Sequence, residues 1–171
     1  LVGVSMGGMI AQTMVIEHPE RILSLTSIMS TTGNPEVGAA KPELMMKMVK
    51  AAHHRGPDGN GIFEDDYITL GHNLLSIVGQ VEESKQPYHY EDCVLVFNGE
   101  IYNYLELRSD LESSGFVFHT NSDTEVILHS YRKWRKDCFK LFNGMWAIAI
   151  YDFEKQELIL SRDRFGKKPL Y

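Results

Sequence analysis

Cysteine is scarce in this 171-residue chain, where Cys93 and Cys138 stand alone. Two isolated cysteines offer no disulfide framework and no metal-ligand spacing, and they suit a reducing compartment, so a cytoplasmic setting is expected. Lysine and arginine total 17 against 23 acidic residues, a formal net charge of -6, and form no block. Electrostatic capture of nucleic acid or of an anionic membrane is thereby disfavoured. No apolar run reaches the roughly 18 residues of a membrane span, and residues 1–20 lack the charged start and cleavage site of a signal peptide. The seven histidines fall into no metal-binding constellation, so no metal site is expected. "GPDGNG" (56–61) lacks the G-x-x-x-x-G-K-[ST] spacing of a phosphate loop and reads as a turn-rich wall. These absences leave a domain that acts on a small molecule, with neither nucleic acid nor membrane as partner.

Hydrophobic residues make up 43% of the chain, enough for one ordinary domain but not for two full catalytic ones at about 100–200 residues each. "LVGVS", "MGGMIAQTMVIEH" and "RILSLTSIM" read as strand, helix and strand, with Pro19 stopping the helix because the residue before a proline is pushed out of the helical region. Residues 30–42, "STTGNPEVGAAKP", lack periodicity and form a linker that divides the chain into 1–43 and 44–171. Beyond it, "ELMMKMVKAAH" is helical, with Leu44, Met48 and Ala51 or Ala52 turned to a core. "YITLGH", "LLSIV" and "CVLVFNG" are strand-like. Two helices are announced by capping boxes, Asn103 with Glu106 and Ser122 with Glu125, and Gly115 marks the end of the first. "MWAIAIYD" and "ELILSRD" flank the turn "FEKQ" as a hairpin. Cys93 and Cys138 read as small buried residues, and His129 as a surface or packing residue.

"GVSMGG" (3–8) carries the G-x-S-x-G spacing of a nucleophile on a strand-to-helix elbow. Ser5 is the candidate nucleophile and the Met6 amide an oxyanion donor. Residues 1–43 resemble an α/β-hydrolase fragment of the esterase type. A serine hydrolase also needs an acid and a histidine on later strands, and the downstream sequence carries other patterns instead.

Those patterns are "HRGPDGNG" (54–61), "LGHNLLSIV" (70–78), "FNGEIYNY" (97–104), "SDTEVIL" (122–128), "FNGMWAIAIYD" (142–152) and "SRDRFGKKPLY" (161–171). Six ordered blocks resemble the class II glutamine amidotransferase domain of glutamine-hydrolysing asparagine synthetases. The resemblance implies an α+β, four-layer α/β/β/α N-terminal-nucleophile glutaminase-like fold, incomplete here, preceded by the short β-α-β hydrolase-like fragment. It implies glutamine as substrate, with its ammonia passed to an aspartate-like acceptor. The Asn98 side chain and the Gly99 amide are the implied oxyanion hole, with Glu100 and Asp123 on the substrate ammonium and Ile77 and Val78 lining the pocket. Leu74 stands where the family carries an arginine for the substrate carboxylate, so either another cation, such as Arg55, or an altered specificity is expected.

The family nucleophile is a cysteine at the mature N-terminus, with its own amine as base. Its "C-G-I-x-G" strand is not found, so the chain by itself is expected to be inactive. A synthetase domain with ATP and Mg is expected beyond residue 171, and no cofactor is expected within the chain. Two incomplete catalytic patterns meeting near residues 35–50 also fit a chimeric reading frame.

Overall fold

The computed structural model describes residues 27–30, 42–75, 83 and 85–170, which group into two compact units. Ser5, with the strand-helix reading around it, lies outside the described residues, as do Ile77 and Val78. The architecture is mixed α/β with antiparallel sheets, as expected in coarse outline.

The first unit contains β1 (Ser27–Ser30), α1 (Pro42–Ala51), a 3-10 turn (His53–Arg55), β2 (Gly59–Glu64) and β3 (Ile68–Leu74). The strands form one antiparallel sheet in the order β1-β3-β2. An Asp65 turn closes the β2–β3 hairpin, its Oδ1 accepting from the N–H groups of Tyr67 at 2.8 Å and Ile68 at 2.7 Å. The buried stripe of α1 is Met45, Met48 and Val49, continued by Ala52, whose i, i+3, i+4, i+7 spacing is one helix face. It includes Met45 and Val49 beside the Met48 and Ala52 expected from the sequence, because one face of a helix spans more than one row of side chains. Asn73 Nδ2 donates to the Val49 carbonyl at 2.9 Å, tying the end of α1 to β3.

The second unit contains β4 (Tyr88–Tyr90), β5 (Cys93–Ile101), α2 (Tyr104–Glu112) and α3 (Asp123–Trp134). A 3-10 turn (Arg135–Asp137), a short α4 (Cys138–Leu141), β6 (Gly144–Asp152) and β7 (Glu157–Arg162) complete it. Its antiparallel sheet runs β4-β5-β6-β7, and the expected β6–β7 hairpin is present. Alternate residues of β5 (Cys93, Leu95, Phe97, Ile101) join Leu107 and Leu111 of α2 and Val126, Ile127, Leu128 and Tyr131 of α3 in one apolar core. Both cysteines are buried and unpaired.

Both capping boxes depart from expectation. Asn103 makes no cap bond; its Nδ2 donates to the Leu141 carbonyl at 3.0 Å and its Oδ1 accepts from Asn143 N–H at 2.9 Å. The bond across to the α4–β6 junction displaces the local one. Ser122 does cap α3, accepting from Thr124 N–H at 3.1 Å. Glu125 turns away from the Ser122 amide towards His119 and Thr120. Gly115, with φ +92°, closes the exit of α2 as expected. His129 is a packing residue, fully buried and ringed edge-on by Tyr90, Phe116 and Phe118.

Strands β5 and β6 pair over nine residues, from Cys93 opposite Asp152 to Ile101 opposite Gly144. At the last rung a Cβ on Gly144 would lie 2.1 Å from the Glu100 carbonyl oxygen. Backbone cannot yield as a flexible side chain can, so the rung must open. Gly144→Ala is expected to destabilise the protein by about 1–3 kcal/mol, as overpacking does elsewhere. Urea unfolding monitored by tryptophan fluorescence checks this.

Candidate functional site

Four of the residues singled out in the sequence converge at one end of β5. Asn98, Gly99 and Glu100 are consecutive on the strand, and Asp123 begins α3. The odd-numbered residues of β5 point to the helices, so alternation puts the Asn98 and Glu100 side chains on the opposite face of the sheet.

The direction of the Gly99 amide follows from the ladder. Trp146 lies opposite Gly99, and both of its backbone polar groups are engaged on the side away from β5. Its N–H donates to Asp163 Oδ2 at 3.2 Å, and its carbonyl accepts from Asp163 N–H at 2.9 Å. The two opposed residues therefore form a non-hydrogen-bonded pair, and the Gly99 N–H points out of the far edge of β5. Strand β4 covers that edge only opposite Cys93, Val94 and Leu95. Two residues further on, the same edge carries the Ile101 N–H, which donates to Asp123 Oδ2 at 3.0 Å. Gly99 has φ +156°, and a Cβ there would meet the Met145 carbonyl oxygen at 2.0 Å. Both the conformation and the contact require glycine.

The electrostatics separate Asp123 from every other buried carboxylate among the described residues, namely Glu125, Asp152 and Asp163. Burial raises all four, but donors overcome it in three. Glu125 is held down at about 2 by His129 and by donors from His119 and Thr120. Asp152 is lowered by Lys155, Tyr131 also donating to it. Asp163 is lowered by the amides of Lys168, Lys167, Trp146 and Phe165. Asp123 alone is raised, to about 6, because burial and the nearby Glu100 carboxylate outweigh the amides of Ile101 and Thr124. A buried carboxylate short of compensation is poised for a cationic group.

The edge amide of Gly99 beside the Asn98 side chain is a pair of donors suited to a carbonyl oxygen that gains charge. Asp123, with Glu100, suits an ammonium. Burial lifts the Cys93 thiol to about 11 and the Cys138 thiol to about 12, so neither is an activated nucleophile near neutral pH. Leu74 is a buried apolar residue of β3 in the first unit. Arg55 is exposed at the end of the 3-10 turn of that unit. Among the described residues no cluster of three His, Cys, Asp or Glu side chains is placed to hold a metal ion, and no helix is long and apolar enough to cross a membrane. Sequence reasoning missed Asp163, whose carboxylate gathers four backbone amides. The only signal for it was its place inside "SRDRFGKKPLY".

Residues 25–171 match the family described as Glutamine amidotransferase domain. The chain is 44% identical over 135 residues to "Asparagine synthetase [glutamine-hydrolyzing] 1" of Bacillus subtilis, covering 78% of this chain and 21% of that protein. It is also 44% identical over 149 residues to "Putative asparagine synthetase [glutamine-hydrolyzing] 2" of Methanocaldococcus jannaschii, covering 75% and 28%. The chain thus spans between about a fifth and somewhat more than a quarter of the length of these relatives. Among solved structures, a glutamine phosphoribosylpyrophosphate amidotransferase from B. subtilis aligns with TM-score 0.48 and 26% identity over 58% of this chain and 24% of that one.

The raised Asp123 carboxyl has a thermodynamic consequence. The folded state binds its proton more tightly than the unfolded chain, so the stability it contributes is full below about pH 4 and is lost as pH rises through about 6. Asp123→Asn removes that loss. The variant is expected to be more stable than the parent at pH 7.5 by on the order of 1–3 kcal/mol, with the gap closing near pH 4. Denaturant unfolding at the two pH values measures both ends.

Proposed function

We propose, from the premise that this chain belongs to the glutamine amidotransferase domain family, that the end of β5 binds L-glutamine and stabilises the oxyanion formed when its side-chain amide is attacked. The carrying observation is the arrangement along one strand edge, where the Gly99 amide and the Asp123 carboxylate are set two residues apart. That spacing is about 7 Å. Glutamine's α-nitrogen and side-chain carbonyl carbon are separated by four bonds, roughly 5 Å when extended. An ammonium at Asp123 therefore leaves the amide carbonyl near Asn98 and Gly99.

In this reading Asp123 makes the main contact to the ammonium and Glu100 adds charge, which explains why burial is tolerated with backbone amides that do not fully compensate it. Asn98 and Gly99 donate to the oxygen as it becomes an oxyanion, a gain realised mainly in the transition state. Leu74 offers no cation, so the α-carboxylate is assigned to another group. Ile77 and Val78 retain their proposed role as pocket backbone. The finer fold assignment, an N-terminal-nucleophile glutaminase-like fold, belongs to the same proposal. Its support is family membership together with the two antiparallel sheets. The family match begins at residue 25 and β1 joins the sheet of β2 and β3, which supports including residues 25–43 in the domain.

The relatives' names support an asparagine synthetase-like role in which the released ammonia reaches an aspartate-like acceptor in a synthetase domain. ATP and Mg belong to that domain in this proposal, and no cofactor is assigned to the described residues. A cytoplasmic setting is retained as part of the reading.

Calorimetric binding of L-glutamine and ammonia release by the full-length protein test the assignment. Asp123→Asn is expected to weaken glutamine binding by about 10–100-fold, the scale of a charge-assisted contact. Parent affinity is expected to fall below about pH 6, where Asp123 protonates. Asn98→Ala is expected to lower kcat by about 100–1000-fold with a small change in KM. Unchanged affinity in Asp123→Asn refutes the reading.

A further inference from the structure

Glu125 is fully buried on the first turn of α3, two residues from Asp123. Its carboxylate bonds outward from the helix. Oε1 accepts from His119 N–H at 3.0 Å, and Oε2 accepts from Thr120 N–H and from the Thr120 hydroxyl, both at 2.7 Å. The same hydroxyl oxygen accepts from Ser122 N–H at 3.2 Å, and Ser122 caps the helix that Asp123 starts. A continuous chain of hydrogen bonds thus leads from Glu125 through Thr120 and Ser122 to the backbone that carries Asp123.

The surroundings make this a rigid support. His129 Nε2 lies 3.4 Å from Glu125 Oε1, and three aromatic rings enclose that histidine. Burial and the nearby Glu125 carboxylate push the Tyr88 phenol of β4 well above its usual range. From α2, Arg108 donates to the Thr120 carbonyl at 2.6 Å and lies over the Phe118 ring. Asn121 N–H donates to Glu83 at 3.1 Å. The charged group bearing on Asp123 from β5 is Glu100.

We propose that Glu125 is a positioning residue: it fixes the 116–122 loop and, through the Thr120 hydroxyl, the turn that keeps Asp123 buried at the edge of β5. Its importance for glutamine rests on the reading of Asp123 above, but its action on Asp123 can be measured without glutamine. A loosened loop lets water reach Asp123, and the desolvation that raises its carboxyl is relieved. A role confined to stability leaves that carboxyl unchanged in the folded protein.

The experiment is a carbon-13 NMR titration of the Asp123 carboxyl in the whole protein, for the parent and for Thr120→Val, Thr120→Ser and Glu125→Gln. The parent midpoint is expected near 6. In Thr120→Val, which keeps the amide bond to Glu125 and loses the hydroxyl relay, the midpoint is expected to drop by about one pH unit as burial is relieved. Thr120→Ser restores the parent value, and Glu125→Gln drops it at least as far as Thr120→Val. If the buried neutral variant fails to fold, the two threonine variants decide. Folded Thr120→Val with the parent midpoint overturns the proposal. Asp123→Asn that binds glutamine normally overturns the substrate reading and leaves the titration result for Glu125 standing.

Discussion

The nine-rung pairing of β5 with β6 is the constraint on which the candidate site depends. At its far end the two backbones approach so closely that Gly99 and Gly144 have no room for a Cβ. That contact sets Gly99 against Met145 and Trp146, while Asp163 grips the backbone of Trp146 from the other side. The result is an amide aimed out of the sheet edge. It is held by strand pairing on one side and a buried carboxylate on the other, rather than by a flexible loop. Preorganised donors of this kind need no reorganisation when charge develops.

The second ingredient is an imbalance of charge. Asp152 and Asp163 are supplied with donors that fasten the β6–β7 hairpin and the loop after it. Glu125 is likewise satisfied and fastens the loop before α3. Asp123 sits among them with three backbone amides, including its own, and a carboxylate neighbour, which together leave its burial undercompensated, a costly arrangement for the isolated fold. Under the proposed reading, an ammonium supplied by substrate would offset that cost, a trade of stability for binding that is common at functional sites.

Much of this was legible in the residues. The alternation of "CVLVFNG" and "MWAIAIYD" placed β5 and β6, and the blocks around Asn98, Gly99, Glu100 and Asp123 named the residues that now stand together. The failures share a physical cause. Asn103 and Glu125 both had the spacing of local caps, yet each bonds to a segment distant in the fold or outside its helix, because a buried polar group is satisfied by whatever donor packing brings near. His129 had no sequence signal for burial, since its pocket is made by aromatic rings of two separate segments, Tyr90 of β4 and Phe116 and Phe118 of the loop before α3. Asp163 was unremarkable until its loop closed around it.

The sequence by itself determined the strand and helix periods, the glycines at the narrow rung and the chemical types at the end of β5. These are local properties, readable from alternation and residue type. Tertiary structure decided which edge the Gly99 amide faces, which of four similar carboxylates is left undercompensated, and what holds Asp123 in place. Those outcomes depend on donors from other elements and on the exclusion of water, and neither is encoded within one element's own residues.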